Sequence, residues 1–212
     1  MSNPLHVWVR IAPLSPTRCC LASAVLRRIS AYADVRVRPL LCPGLLCSPT
    51  VGDIVIPMDC DLATIVPGEE FWNDSVRFAD LHTLGSDVYA VIDDDQLPLG
   101  PDFFQLGRRL LLEHPGFAFI SSVSINGEVL LPEDDQEVVV AHSAGTPFFA
   151  RPGTLAKLRP PSSLAQADNA ACVAIHATGL KVGFARGLRH NHLGYGISQA
   201  VPEWSNHPGP RA

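Results

Sequence analysis

Val88-Tyr89-Ala90-Val91-Ile92-Asp93-Asp94-Asp95 is the run on which the reading of this chain turns. Five apolar residues without polar alternation predict a strand buried on both faces, as in a parallel sheet covered by helices. Three carboxylates then end it. Ligands of open α/β sheets sit outside the carboxyl ends of strands, so chemistry is expected here. Side chains alternate along a strand, so Asp93 and Asp95 are expected to face one ligand while Asp94 faces away. Close carboxylates repel one another, and a divalent cation would relieve that repulsion. Oxygen ligands suit Mg²⁺ or Mn²⁺ better than Zn²⁺. A solvated acidic turn is the plainer alternative.

The flanks of this run alternate between strand and helix. On its N-terminal side, His6 to Ile11 reads as a first strand. Ser15-Pro16 then forms an N-cap with proline at the first helical position. The helix runs from about Pro16 to Tyr32, with Leu21, Val25 and Ile29 four apart. Asp34 to Leu40 alternates as a strand, a Pro/Gly/Cys loop fills 41–52, and Asp53 to Ile56 is a further short strand. Glu69 to Leu84 reads as a helix. Asn73 and Arg77 lie four apart on it and are candidates for the ligand crevice, or else a solvated helix face.

On the C-terminal side, Pro98 and Pro101 introduce a helix over about Asp102 to Glu113. Phe117 to Ser124 reads as a strand, with a hairpin turn at Ile125-Asn126-Gly127-Glu128. Glu137 to Ala141 resumes as a strand, a loop spans His142 to Pro147, and Phe148 to Arg151 is extended. Ser163 to Thr178 reads as a helix stopped by Gly179, and Lys181 to Ala185 as the last strand. The whole predicts an α/β sandwich, mostly parallel, with an antiparallel insertion. Neither a Gly-x-Gly-x-x-Gly loop nor a Gly-Lys-Ser/Thr loop is present, which makes dinucleotide oxidoreductases and P-loop NTPases poor candidates.

Composition bounds the rest. The 212 residues, 47% apolar and 17% charged, describe a globular chain rather than a disordered one. No apolar run approaches the ~20 residues needed to cross a bilayer, and Met1 to Pro16 lacks the features of a signal peptide. A cytoplasmic location is the expectation. The six cysteines are then expected to be reduced, and Cys42 and Cys47 lack a second ligand pair for zinc. The net charge of −5 is unevenly spread. Residues 1–150 carry 9 Lys+Arg against 19 Asp+Glu, and residues 151–212 carry 7 against 2. The acidic part suits metal capture, and the basic part suits an anionic ligand or acceptor.

Four segments together resemble GT-A fold nucleotide-sugar glycosyltransferases, close to the large family-two group. They are Asp93-Asp94-Asp95 after its apolar strand, the loop and strand from His142 to Arg151, Ala167-Asp168-Asn169 at a helix start, and Leu188-Arg189-His190-Asn191-His192-Leu193-Gly194. Two departures from the commonest pattern stand out: Ala167 replaces the usual glutamate, and an Asp-Gly-Ser after the second strand is missing.

The resemblance implies a GT-A-like, Rossmann-type sandwich with a mostly parallel central sheet. It spans 1–196 as one catalytic domain, with a nucleotide-binding half over about 1–100 and an acceptor-side half over 101–196. A Pro-rich tail follows at 197–212. The implied activity is metal-dependent transfer of a sugar from a nucleoside-diphosphate sugar, UDP-linked by expectation, to an acceptor hydroxyl. Mn²⁺ or Mg²⁺ would be held by Asp95 and Asp93, completed by His192 or His190 from the other end of the site. Asp168 would be the general base of an inverting transfer. Asp93, Asp94, Arg77, Arg10 and Arg189 are implied nucleotide-sugar contacts, with Arg186 as a second diphosphate candidate. His142, Gly145 and Arg151 are implied on the acceptor side. Asp53, Asp59 and Asp61 are candidate nucleobase contacts, and Trp204 a candidate stacking residue. The acceptor is open: a glycan, a small molecule or a hydroxymethylated DNA base. A nucleotidyltransferase and a non-catalytic sugar-nucleotide-binding domain are the competing readings.

Overall fold

The computed structural model describes residues 3–11, 16–41, 54–57, 60, 62–64, 71–126, 131–133, 135–158 and 167–193, without the side chains of 16, 71–73 and 167–170. Apolar β1 (Leu5–Ile11) leads into α1 (Pro16–Ser30), which returns the chain to β2 (Val35–Leu41). The short β3 (Ala63–Thr64) precedes α2 (Phe71–Leu81), β4 (Tyr89–Asp93) and β5 (Gln96–Leu99). Then come α3 (Phe103–Glu113), β6 (Phe117–Ser124), β7 (Val138–Ala141), β8 (Phe148–Ala150), α4 (Ala167–Ala177) and β9 (Lys181–His192).

The strands form one sheet in the order β3-β2-β1-β4-β8-β6-β9-β5, with β7 also paired to β9. β3, β2, β1 and β4 are mutually parallel. β8 runs antiparallel between β4 and β6, and β9 is parallel to β6. β5 and β7 are antiparallel to β9. Most strands therefore share one direction, with antiparallel members inserted, as expected.

The sheet is covered on both faces. Cys19, Ala22, Val25, Leu26 and Ile29 recur along one face of α1 and pack with α3 residues Phe103, Phe104, Leu110 and Leu111 on Val7, Val9, Ala90 and Ile92. Trp8, Tyr89 and Val91, alternating with those strand residues, meet Val76 and Ala79 of α2 and Ala171, Cys172 and Ile175 of α4. Each fully buried aliphatic or aromatic side chain here contributes about 1.5–3 kcal/mol. β4 thus reads as apolar throughout because it has no wet face.

One buried carboxylate is structural. Asp80 on α2 is fully buried. It accepts amide hydrogens from Gly153 at 3.0 Å and Ala156 at 2.7 Å. Arg77 donates to the Leu158 carbonyl at 2.8 Å. Together they lash the loop after β8 to α2.

Four expectations are corrected. Pro98 is expected to introduce a helix, but it lies in β5, which among the described residues pairs only with β9 at the sheet's edge; proline is tolerated where one side of a strand has no partner. β6 and β7 do not form a hairpin: both pair with β9, on opposite edges. The last strand does not stop at Ala185. β9 continues to His192, its free edge pairing first with β7 over 182–185 and then with β5 over 189–192. Ile54 to Ile56 is described and is not a strand, whereas Asp53 lies outside the described residues. None of Cys19, Cys20, Cys60 and Cys172 forms a disulfide; Cys42 and Cys47 lie outside the described residues.

Candidate active site

The acidic run sits where β4 ends, at the carboxyl edge of the parallel strands. Asp93 is the last residue of β4 and stands opposite Arg10 in β1. Arg10 donates to Asp93 Oδ1 through Nε at 2.7 Å and lies 2.6 Å away through Nη2. Its Nη1 donates to Ser75 Oγ of α2 at 3.3 Å. Thr146 Oγ1 donates to Asp93 Oδ2 at 2.5 Å. Gln96 accepts the Asp93 amide hydrogen at 3.0 Å and donates to the Thr146 carbonyl at 2.9 Å. The loop before β8 is thereby fastened to the acidic turn.

Asp94 and Asp95 form the turn between β4 and β5, and there strand alternation ceases. Both carboxylates pair with Arg18 in the first turn of α1. Asp93 and Asp95 therefore do not present a common strand face: Asp93 turns toward α2, and Asp95 toward the guanidinium from α1. Asp94, expected to face away, is engaged by the same guanidinium and is only 1% exposed.

β5 begins immediately after Asp95 and runs antiparallel to the end of β9, placing Gln96 opposite His192. Leu193 donates its amide hydrogen to the Asp95 carbonyl at 2.7 Å. His192 Nε2 lies 3.2 Å from Asp95 Oδ2. Asn126 holds the His192 backbone from both sides, at 2.8 and 3.0 Å. His190, two residues back on the same strand, has its ring centroid 6.3 Å from that of His192. Its Nδ1 is hydrogen-bonded to Ser122 Oγ at 2.8 Å.

The environments separate the titrating groups. Burial opposes ionisation of Asp95, but the His192 hydrogen bond and the Arg18 charge outweigh it and hold the carboxyl below its usual range. Burial also disfavours a charged His192, yet Asp95 prevails and raises its pKa above 6.5. His190 is 3% exposed. Burial, reinforced by the neighbouring His192, lowers its pKa to about 4. His190 is thus neutral at physiological pH.

This has a measurable consequence for stability. The unfolded chain takes up a proton at His190 near pH 6.5, whereas the native protein resists until about pH 4. In that window the unfolded state binds more protons, so acid favours unfolding. The stability difference between the unsubstituted protein and His190→Gln is expected to shrink by about 3 kcal/mol as pH falls from 6.5 to 4. Denaturant titrations across that range would show it, and a pH-independent difference would refute it.

The remaining predicted site residues are placed differently. Arg77 is occupied with Leu158, as above. Arg151 follows β8, whose Ala150 pairs with Tyr89 at the opposite end of β4 from Asp93. It donates at 2.9 Å to the Phe117 carbonyl and also to that of Leu111, so it braces α3 and β6 rather than the acceptor side. Arg189 is exposed and, by alternation along β9, opposite in facing to His190 and His192. Arg186 donates to the carbonyls of Gln136, at 2.8 Å, and Pro132. His142 is exposed, and the Gly145 carbonyl accepts from Ser121 Oγ at 2.6 Å. Asp168 lies in the first turn of α4, with its side chain outside the described residues, as is that of Asn73. Asp59, Asp61, Trp204 and the 197–212 tail are also outside them.

Arg18, Thr146, Gln96 and Ser122 are the site residues that sequence reasoning missed. Only Arg18 carried a signal, as a cation in the first turn of the helix after the first strand. The others need the tertiary pairing to be seen.

Among the described residues, no group of three or more His, Cys, Asp or Glu gathers closely enough to enclose a metal ion. Asp95 Oδ2 and His192 Nε2 nevertheless form a convergent oxygen–nitrogen pair. No helix of the described residues is long and apolar enough to cross a membrane.

No protein-family model matches the chain, and no curated protein matches it. Solved structures do. UDP-glucose pyrophosphorylase from Acinetobacter baumanii is similar at a TM-score of 0.60 and 11% identity, covering 97% of this chain and 96% of that one. CMP:2-keto-3-deoxy-manno-octonic acid synthetase, complexed with CTP, is similar at 0.59 and 15% identity, over 87% and 90% of the two chains. S. aureus TarS 1-349, in complex with UDP-GlcNAc, is similar at 0.59 and 9% identity, covering 91% of this chain and 61% of TarS 1-349. The fold is therefore GT-A-like, the α/β architecture of nucleotide-sugar transferases and nucleotidyltransferases.

Proposed function

We propose that this protein is a glycosyltransferase that takes a sugar from a nucleoside-diphosphate donor, with Asp95 and His192 at the centre of its site. The observation that supports this most directly is the convergence of those two side chains at the carboxyl end of β4. The neighbours carrying UDP-GlcNAc and CTP lend it support at the level of fold.

In the proposed reaction an acceptor hydroxyl attacks the anomeric carbon. The bond from that carbon to the diphosphate oxygen breaks, and the nucleoside diphosphate leaves with the electron pair. The hydroxyl proton passes to a carboxylate, a role that falls to Asp168. Mn²⁺ or Mg²⁺, held by Asp95 and His192, would supply charge neutralisation for the diphosphate. Asp93 is a positioning residue, since Arg10 and Thr146 take both of its oxygens. Gln96 and Thr146 hold the 142–147 loop, where His142 and Gly145 line the proposed acceptor side. His190, neutral and bonded to Ser122, keeps the end of β9 in place. The proposed acceptor is a hydroxyl compound: a glycan, a small molecule or a hydroxymethylated DNA base.

A nucleotidyltransferase is the second reading, favoured by the likeness to a pyrophosphorylase and a CMP-transferring synthetase. One experiment separates them. Incubation with a panel of nucleotide sugars, or with nucleoside triphosphates plus sugar phosphates, is followed for nucleoside diphosphate and for pyrophosphate. Nucleoside diphosphate release, with Mn²⁺ and abolished by chelator, is the expected result. Pyrophosphate alone would establish the alternative, and neither product would leave a binding domain.

A further inference from the structure

The loop before β8 turns its carbonyls inward. The Ala144 carbonyl accepts from the Cys172 thiol of α4 at 3.5 Å, and the Gly145 carbonyl from Ser121 Oγ of β6 at 2.6 Å. Both anchoring residues are fully buried. The 144–145 and 145–146 peptides are trans. In a planar trans peptide the N–H points opposite to the carbonyl of the same unit. The amide hydrogens of Gly145 and Thr146 are therefore turned away from the buried anchors. Among the described residues neither has a hydrogen-bond acceptor. Both residues are half-buried, so the two donors stay within reach of a ligand.

The rest of the loop is held as firmly. The Thr146 carbonyl accepts from Gln96 Nε2 at 2.9 Å, and the Pro147 carbonyl from the Ser122 amide at 2.9 Å. Thr146 Oγ1 is tied to Asp93 at the carboxyl end of β4, which sets the two amides at the edge where the ligand crevice is expected. Donors fixed in this way need no reorganisation when an oxygen arrives. With the neighbouring carbonyls engaged, they suit an oxygen that only accepts, and hydrogen bonds to a charged oxygen are the stronger kind. We propose that the Gly145 and Thr146 amides form an oxyanion-binding pair, taking a phosphate or carboxylate oxygen of a bound ligand. The pair stands apart from Asp95 and His192. It rests on the transfer reading only for the origin of that oxygen, the donor diphosphate or a carboxylate on the acceptor.

The pair is tested on ¹⁵N-labelled full chain in buffer without divalent cation. Inorganic pyrophosphate, acetate and N-acetylglucosamine are titrated in turn while the assigned Gly145 and Thr146 amide resonances are followed. A downfield shift of both with pyrophosphate is the expected result. A shift with acetate alone also supports the pair and assigns it to a carboxylate source. An equal or larger response to the neutral sugar, or none to any of the three, overturns the proposal. Gly145→Pro deletes one of the two hydrogens and Gly145→Ala keeps it. The active anion is expected to bind Gly145→Pro about tenfold or more weakly than Gly145→Ala, and equal affinities overturn the pair. Should Gly145→Pro not fold, the shifts in the unsubstituted protein still decide. Nucleoside diphosphate release is read separately. Product with unmoved amides leaves the transfer reading standing without the pair, and moved amides without product leave the pair in a binding domain.

Discussion

Asp95→Asn is expected to cut nucleoside diphosphate release by roughly a thousandfold, the scale of losing one preorganised charge at a reacting diphosphate. The substitution keeps volume and one carbonyl oxygen, so it can still accept a hydrogen bond from Arg18 or His192. What it removes is the negative charge that gathers both of them. Arg18 keeps Asp94 as a partner, and the turn is expected to stay folded. The comparison with Asp93→Asn sharpens the test. Asp93 is committed to Arg10, Thr146 and the sheet. Its loss removes the carboxylate that neutralises Arg10, which is 4% exposed, so Asp93→Asn is expected to destabilise the protein as well as slow it. Turnover by Asp95→Asn at the unsubstituted rate, measured on protein of unchanged melting temperature, would end the proposed role of this carboxylate.

Gly107→Ala is expected to destabilise the fold by about 3 kcal/mol, since overpacking a filled core forces side chains or backbone to move. A Cβ at this position would lie 2.2 Å from Phe149 Cζ, 2.3 Å from Cε2 and 2.5 Å from Cε1. The Phe149 ring cannot retreat. It is fully buried, with Phe103 and Phe104 rings 5.7 and 6.2 Å away. It also stands opposite Ala90 on β4 and Ile120 on β6. A clash at α3 is therefore transmitted to the strand that carries Asp93. At this chain length the loss corresponds to a fall in melting temperature of about 6–12 °C. Gly116→Ala, where an added Cβ meets nothing within 4 Å, is the control and is expected to leave the transition unchanged. Equal melting temperatures for the two variants would refute the packing argument.

Much of this architecture was legible in one dimension. Lone apolar runs such as Tyr89–Ile92 read as doubly covered strands because both of their faces are in fact buried. Pro16 and the spacing of Val25 and Ile29 announced α1. The acidic tip was visible because three carboxylates rarely follow a buried strand without a reason to be there. Its partners were less legible. Arg77, Arg151 and Arg189 looked equivalent to Arg10 and Arg18 as bare cations, yet only the last two reach the acidic turn. Sequence spacing records distance along a chain, and these contacts join residues 83, 76 and 77 positions apart.

β5 is the decisive case. Pro98 argued against a strand there, because a ring without an N–H cannot serve a central ladder. Only the assembled sheet shows that β5 is an edge strand, paired among the described residues with β9 alone, where a missing donor is tolerated. Its antiparallel register against β9 then brings His192 to 3.2 Å from Asp95 across 97 residues of chain. The amino-acid order determined the layers, the buried strand and the acidic tip, since local periodicity and burial are properties of neighbouring residues. Which cation meets which carboxylate was decided by tertiary structure alone, because strand pairing and helix placement set those distances.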